Sequence, residues 1–518
     1  MCNELTSLRN IGKKYVILTT IPVASIISLS ACGAVEYEYE YKYEYEYELE
    51  YENDYEITLD LNYAMHQAHQ RRQAITIPDG SEMISLFEAH ITEPLPDDLS
   101  DWREPVILID IESAKEDVYT FFHILRNRYT GYVYFGGDEV FLPVRDAILS
   151  DIAEQGDSIT SSLFGQTLVY HLEPVIHDRH FIMWSIGFRH MFGHDVVYYR
   201  ANNLQYDKTS GGFRNRGSGL LLEAVEGHDI AEIMRLHVSD EGDLFYTAII
   251  SDIGMGASLG SIAFTYEGGE IAEYNFVSMP EFYVRTPNDR LGHSIPYVPS
   301  FGGMGDIFDE YSDNHHMAVE FLSYVEQVRD KPAVIVDLRG NGGGNPILPY
   351  VWIYNLTGEI ILGNFVSFFV EHVPLFDVDD VDNEKLMTFL EVFFVEQDAV
   401  TNVQRRIIER DQVMIILTDR NIASAAEFFV DLTMNMTNTL IVGAPTNGAM
   451  RFGGGWSNYL PNSGLAFRFG WFMALWDEEH FTESMGIMPD IWVDGDALVA
   501  AVALLHEAGF GEEITHPY

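Results

Sequence analysis

Two stretches of this chain share one local grammar, and together they restrict what it can fold into. Residues 333–345 read AVIVDLRGNGGGN, and residues 413–427 read VMIILTDRNIASAAE. Each opens on a short apolar, β-branched run, as expected of a strand buried on both faces, and breaks at a polar or glycine-rich turn. In the second stretch Ser424 follows the turn and opens a helical pattern. Repeated strand-to-turn units of this kind belong to an α/β sheet, whose functional groups gather outside the carboxyl ends of neighbouring strands.

Size and charge limit the rest. With 518 residues, 47% of them hydrophobic, the chain can bury a sizeable core, and domain statistics allow roughly two to four domains. A formal charge of -50 excludes nucleic acid as a partner class, because phosphate binding rests on Lys and Arg. The same charge repels an anionic membrane surface.

The amino terminus supplies another route to a membrane. Arg9, Lys13 and Lys14 precede an apolar run over residues 15–31 that ends in Leu29, Ser30 and Ala31, just before Cys32. This is the order of a signal peptide, and Pro22 with the Thr/Ser content makes a poor membrane span. LSAC resembles the lipobox of bacterial lipoproteins, which implies a signal peptide over 1–31, lipidation of Cys32 and an extracytoplasmic domain anchored to a bacterial membrane. Cys2 and Cys32 are the only cysteines. Cleavage would leave the domain without a free thiol, excluding a cysteine nucleophile or thiolate metal site. Residues 32–56, dominated by alternating Tyr and Glu, read as a low-complexity tether.

Residues 57–196 form a helical region. Ser113 with Glu116 makes a capping box ahead of Val118, Phe121, Phe122 and Leu125, which stripe one helix face. Tyr129, Tyr132 and Tyr134 around Gly131 read as core aromatics rather than cleft lining. Residues 197–294 change to short alternating runs with Gly and Asp turns, a β-rich middle region. Its residues 221–241 loosely resemble the carboxyl half of a PDZ-like module; a plain β-rich insert is the other reading. The α/β core spans 295–518, with an acidic loop at 377–384 and a closing helix over 497–505.

The GNGGG turn admits two chemistries. Its glycines bring backbone N–H groups close to a ligand, as a phosphate cradle does, but Asn345 stands where the dinucleotide pattern needs a third glycine and Pro346 follows. The alternative is an oxyanion hole, in which a glycine N–H faces the charge developing on an attacked carbonyl. Ser424 is equally open. With Glu427 it makes a capping box, and a helix amino terminus also favours negative charge near its hydroxyl.

DLRGNGGG, TDRNIASAAEFF, VGAPTNG and ESMGIMPDI, in this order, resemble the core of the C-terminal processing and tricorn-type serine peptidases, a family with a crotonase-like ββα core. The resemblance covers roughly residues 295–502. It implies Ser424 as nucleophile, with oxyanion donors on Ala425 and on Gly342 or Gly343. The lysine base of many members would fall at Ala449, and Arg451 cannot replace it, because a guanidinium stays protonated. The tricorn-like branch uses a histidine ahead of the core. IHDRHFIM at 176–183 resembles its aspartate-x-histidine element, which implies His180 as base, and Glu483 falls where the orienting carboxylate belongs. His177 and His180 also have the spacing of a metal pair, but no third ligand is evident.

The sequence therefore predicts an α/β, crotonase-like peptidase core behind a helical region and a β-rich middle, acting on peptides or proteins through an acyl-enzyme on Ser424, His180 and Glu483. No cofactor and no metal is expected. The alternatives are a catalytically silent peptide- or wall-binding lipoprotein and a nonpeptide esterase.

Overall fold

In the computed structural model the two apolar runs become adjacent parallel strands, Ala333–Asp337 and Val413–Thr418, with Ala333 opposite Val413 and Asp337 opposite Leu417. The structure describes residues 17–18, 57–90, 92–93, 102–253, 259–279, 300–301, 313–359, 361, 363–369, 407–455, 457–470 and 472–510. Cys32, the Tyr/Glu tether and the acidic loop at 377–384 lie outside these residues.

Thr439–Gly443 and Ile491–Trp492 extend the parallel set, so the carboxyl ends of four strands face one way. Both faces of this sheet are covered, which explains runs with no polar alternation. Ile335, Ile415, Leu417 and Val442 pack with the closing helix Ala497–Glu507 and with Leu61, Ala64 and Ala68 of the helix Leu61–Gln73. Val334, Val336, Met414 and Ile416 face the opposite way, onto Phe321, Trp352 and Phe429 from the helices Asp313–Val328, Ile347–Thr357 and Ala425–Thr433. Each such aliphatic side chain contributes about 1.5–3 kcal/mol when removed from water. The fold is α/β, with helices against both faces of a large mixed sheet.

The β-rich middle is not a separate layer. Ile491–Trp492 pairs in parallel with Met234–Val238, which pairs in turn with Leu244–Ile253, Val196–Ala201, Glu270–Ser278, Ser261–Tyr266 and Leu222–Val225. One sheet thus runs from the glycine turn into the middle region, across the boundary drawn at 294/295.

In the helical region the helix Ile111–Arg128 starts earlier than its sequence suggests. Asp110, in extended conformation, accepts the Ser113 N–H at 3.0 Å and the Ser113 hydroxyl at 2.6 Å, so Asp110 is the cap and Ser113 lies in the first turn. The stripe of Val118, Phe121, Phe122 and Leu125 is buried as predicted. After the helix Ser161–Leu172 the chain turns through 176–181 into the hairpin Ile182–Ser185 and Phe188–Met191. That hairpin pairs with Ala466–Arg468 of the carboxyl-terminal half, Met183 opposite Phe467. This pairing brings the 177–180 loop to the core.

Candidate active site

The four sequence motifs meet at the carboxyl ends of the parallel strands. Arg339 makes a bidentate pair with Asp337, at 2.8 and 2.7 Å, and reaches Asp496 at the start of the closing helix. Asp419 Oδ1 accepts the Gly340 N–H at 3.1 Å and the Asn421 N–H at 2.9 Å, tying the two turns together. The Asn341 carbonyl then accepts the Ala423 N–H at 3.1 Å, one residue before Ser424.

Ser424 is half-buried and occupies the N-cap position of Ala425–Thr433. Its backbone lies at φ 55 and ψ -123, whereas an ordinary N-cap is extended. A non-glycine residue in this region stores on the order of 1–3 kcal/mol of strain. The Ser424 hydroxyl approaches the Glu427 N–H in capping-box fashion without a well-formed bond, while the Glu427 carboxylate accepts the Ser424 N–H at 3.0 Å. Glu427 does more than cap. Fully buried, it also accepts from Thr446 Oγ1 at 2.6 Å, Gly448 N at 2.7 Å and Ala449 N at 2.8 Å. Burial pushes its carboxyl above the ordinary glutamate range, and these donors pull it back toward the ionised form. The Ala449 carbonyl returns to the Ser424 N–H at 3.1 Å. The position that would hold the lysine is thus backbone-bonded to the serine.

The glycine turn packs directly on this loop. Gly343 has φ +96, and a Cβ there would lie 2.6 Å from the Ala423 oxygen, 2.9 Å from Ser424 Cβ and 3.0 Å from the Ala425 nitrogen. Its own N–H, however, is donated to Asn341 Oδ1 at 2.9 Å. Of the two turn donors expected from the sequence, Gly343 is therefore a spacer with a committed N–H. Gly342 is exposed, and neither its N–H nor that of Ala425 finds an acceptor among the described residues.

The 177–180 loop lies behind the same segment. Glu483 Oε1 accepts the Arg179 N–H and Oε2 the Arg451 N–H, both at 3.1 Å. Ser484 N donates to the Gly448 carbonyl at 2.8 Å, linking this carboxylate to the Ala449–Ser424 contact. His180 Nδ1 is buried without a partner among the described residues. Burial, helped by Arg468, pushes the ring down to about 4, so it is neutral at neutral pH. Among the described residues His180 bonds to neither Ser424 nor Glu483: the carboxylate holds the backbone of the preceding residue, not the imidazole. The Arg179 guanidinium points away, to the His194 carbonyl at 2.7 Å. Arg451 is buried on Glu478 at 2.7 Å, over the Tyr134 ring at 5.3 Å. His177 stacks near His194, ring centroids 4.5 Å apart, and no group of three His, Cys, Asp or Glu among the described residues could hold a metal ion.

Ser424, Ala425, Gly342 and Gly343 thus come together, with Glu483 and the His180 loop adjoining through Gly448 and Ala449. Sequence reasoning missed Glu427 as a four-donor hub and Asn341 as the clip between turns, and it read Asp178 only as part of the aspartate-x-histidine element and Tyr129 only as core, not as neighbours buried beside the His180 loop. Asp178, two residues before His180, was the one locally visible signal.

No family model and no curated protein matches the chain. Solved structures do align with it. Mature CPAF complexed with lactacystin aligns over 78% of this chain and 99% of that chain at 15% identity, with a TM-score of 0.40. A putative peptidase from Parabacteroides merdae ATCC 43184 does so over 76% and 96% at 15% identity, TM-score 0.37. The photosystem II D1 C-terminal processing protease gives 74% and 92% at 11% identity, TM-score 0.30. Likeness at this level transfers no activity, so the chemistry has to come from the chain's own residues.

Proposed function

We propose that the chain is a serine peptidase, lipid-anchored through Cys32 on the outer side of a bacterial membrane, with Ser424 as its nucleophile. The observation that carries this reading is the strained Ser424, held half-accessible at a helix amino terminus with the glycine turn packed on its Cβ. Structural caps do not need this strain; nucleophiles on tight strand-to-helix turns do.

In the proposed reaction Ser424 Oγ bonds to the carbonyl carbon of the scissile peptide while His180 takes the hydroxyl proton. The N–H groups of Ala425 and Gly342 receive the oxyanion. The tetrahedral species collapses, His180 passes its proton to the leaving amine, and water releases the acyl group by the same route in reverse. His180 is neutral and proton-accepting at neutral pH. The dyad closes when the 177–180 loop moves toward Ser424, a tightening common between free enzymes and their complexes. Glu483 acts through the loop backbone, by holding Arg179.

A second reading, a silent peptide- or wall-binding lipoprotein, is favoured by Ala449 at the lysine position and by His180 Nδ1, which has no partner among the described residues. A nonpeptide esterase would use the same residues. Incubating the purified protein with a denatured protein mixture and reading new peptide termini by mass spectrometry separates them. Ser424→Ala is expected to lower turnover on the order of 10⁶-fold, with cleavage lost in His180→Ala as well. Cleavage that persists in Ser424→Ala rejects the mechanism, and a folded wild type that cuts nothing moves the weight to the binder or the esterase.

A further inference from the structure

We propose that Asp178 and Glu483 work as one coupled carboxyl pair, and that the proton on Asp178 keeps the His180 loop docked behind Ser424. The inference rests on the peptidase reading for its effect on activity but not for its chemistry. The two carboxyl groups hold successive residues of one loop: Asp178 Oδ1 accepts the His180 N–H at 2.7 Å, and Glu483 Oε1 accepts the Arg179 N–H at 3.1 Å. Asp178 is fully buried, and its Oδ2 has no hydrogen-bond donor among the described residues. The Tyr129 hydroxyl, also fully buried, faces it without closing to a bond. An ionised oxygen sealed from water with no donor is costly, and a protonated one costs far less.

The neighbouring guanidinium groups make their hydrogen bonds elsewhere, and of these the Arg451 charge still favours ionised Glu483. The Arg179 guanidinium is spent on His194 and Asp195, and that of Arg451 on Glu478 and the Tyr134 ring. Arg468 faces His180. Among the described residues the N–H groups of Arg179, His180 and Arg451 are hydrogen-bonded to the two carboxyl groups, and the N–H groups of Phe181 and Gly470 and the Tyr129 hydroxyl also favour ionised Asp178 from nearby. Burial raises Asp178 to about 7 and lifts Glu483 well above the glutamate range, and the nearby Asp178 charge lifts Glu483 further. Two carboxyl groups that feel each other's charge in this way do not both ionise readily.

The sign follows. A carboxyl group whose folded pKa is raised binds its proton better in the folded protein, so stability falls as pH rises from the unfolded value near 4 toward 7. Above that range the Asp178 O–H breaks, its proton leaves for solvent, and a negative charge is left on the donor-less Oδ2 inside the loop, which loosens it. With His180 neutral above about 4, kcat/KM is expected to rise through about 4 and fall through about 7. Asp178 and Glu483 are positioning residues: they touch the loop, not the substrate.

The test compares the full-length wild type with Asp178→Asn and Tyr129→Phe, recording kcat/KM and melting temperature against pH. Asp178→Asn is expected to lose the alkaline limb, whatever its absolute rate, together with the fall in melting temperature between about pH 4 and pH 7. Because the Tyr129 hydroxyl favours ionised Asp178, Tyr129→Phe should move both transitions to higher pH, and it remains informative if the asparagine variant does not fold. The same alkaline transitions in all three proteins overturn the proposal. If no form cleaves anything, the peptidase reading fails while the melting profiles still decide the pair: an equal fall in wild type and Asp178→Asn rejects it.

Discussion

At the scale of single residues, Ser424 shows how one position serves two ends. SAAE is a capping box in sequence, and in the fold its glutamate does hold the serine N–H, yet the backbone geometry is one that glycine prefers. Strain and function are thereby separable. Ser424→Gly relaxes the backbone and forfeits only a few tenths of a kcal/mol as a cap, so it should raise stability by about 1 kcal/mol while abolishing turnover. Ser424→Ala keeps the strain and should not gain. Chemical denaturation of both variants checks this, and an alanine variant as stable as the glycine variant would remove strain from the account.

At the scale of elements, the glycine turn divides its labour. Gly342 and Gly343 are adjacent and alike in sequence, but only Gly343 lies at positive φ against the serine loop, and only Gly342 opens to solvent with nothing within 4 Å of an added Cβ. Gly343→Ala should therefore cost several kcal/mol, on the order of 3, and lower any cleavage with it. Gly342→Ala should fold like the wild type, leaving its N–H in place. Equal melting temperatures for the two variants would contradict the packing. The helix Ile111–Arg128 carries a similar lesson: Asp110 and Ser113 are both good caps by type, and the extended backbone at Asp110 decides between them.

At the scale of the whole molecule, the helical, middle and core stretches interlock. Met234–Val238 joins the core sheet through Ile491–Trp492, and the hairpin after His180 lies beside Ala466–Arg468. Strands of one sheet share its cooperativity. Hydrogen exchange should show residues 236–238 protected within about tenfold of residues 440–442; a middle region that exchanges orders of magnitude faster would mean that it unfolds alone. Ion pairs add to the clamp: buried Arg72 and exposed Arg71 from the helix Leu61–Gln73 converge on Asp490, which also accepts the Ile441 N–H at 2.7 Å.

Local pattern was sufficient for the parallel strands, the apolar helix stripes, the glycine turn beside a serine and the closing helix, because periodicity and turn chemistry act over a few residues and the sequence alone displays them. Contacts across long separations decided the rest. Whether Gly342 or Gly343 offers a free N–H depends on Asn341 folding back. Whether Glu427 is a cap or a hub depends on residues 446–449 arriving beside it. That Glu483 grips the Arg179 backbone rather than the His180 ring, and faces a second buried carboxyl group, depends on a hairpin some 300 residues away in the chain docking on Ala466–Arg468. Sequence spacing carries no information about such meetings, since burial and the positions of donors exist only once distant segments have packed.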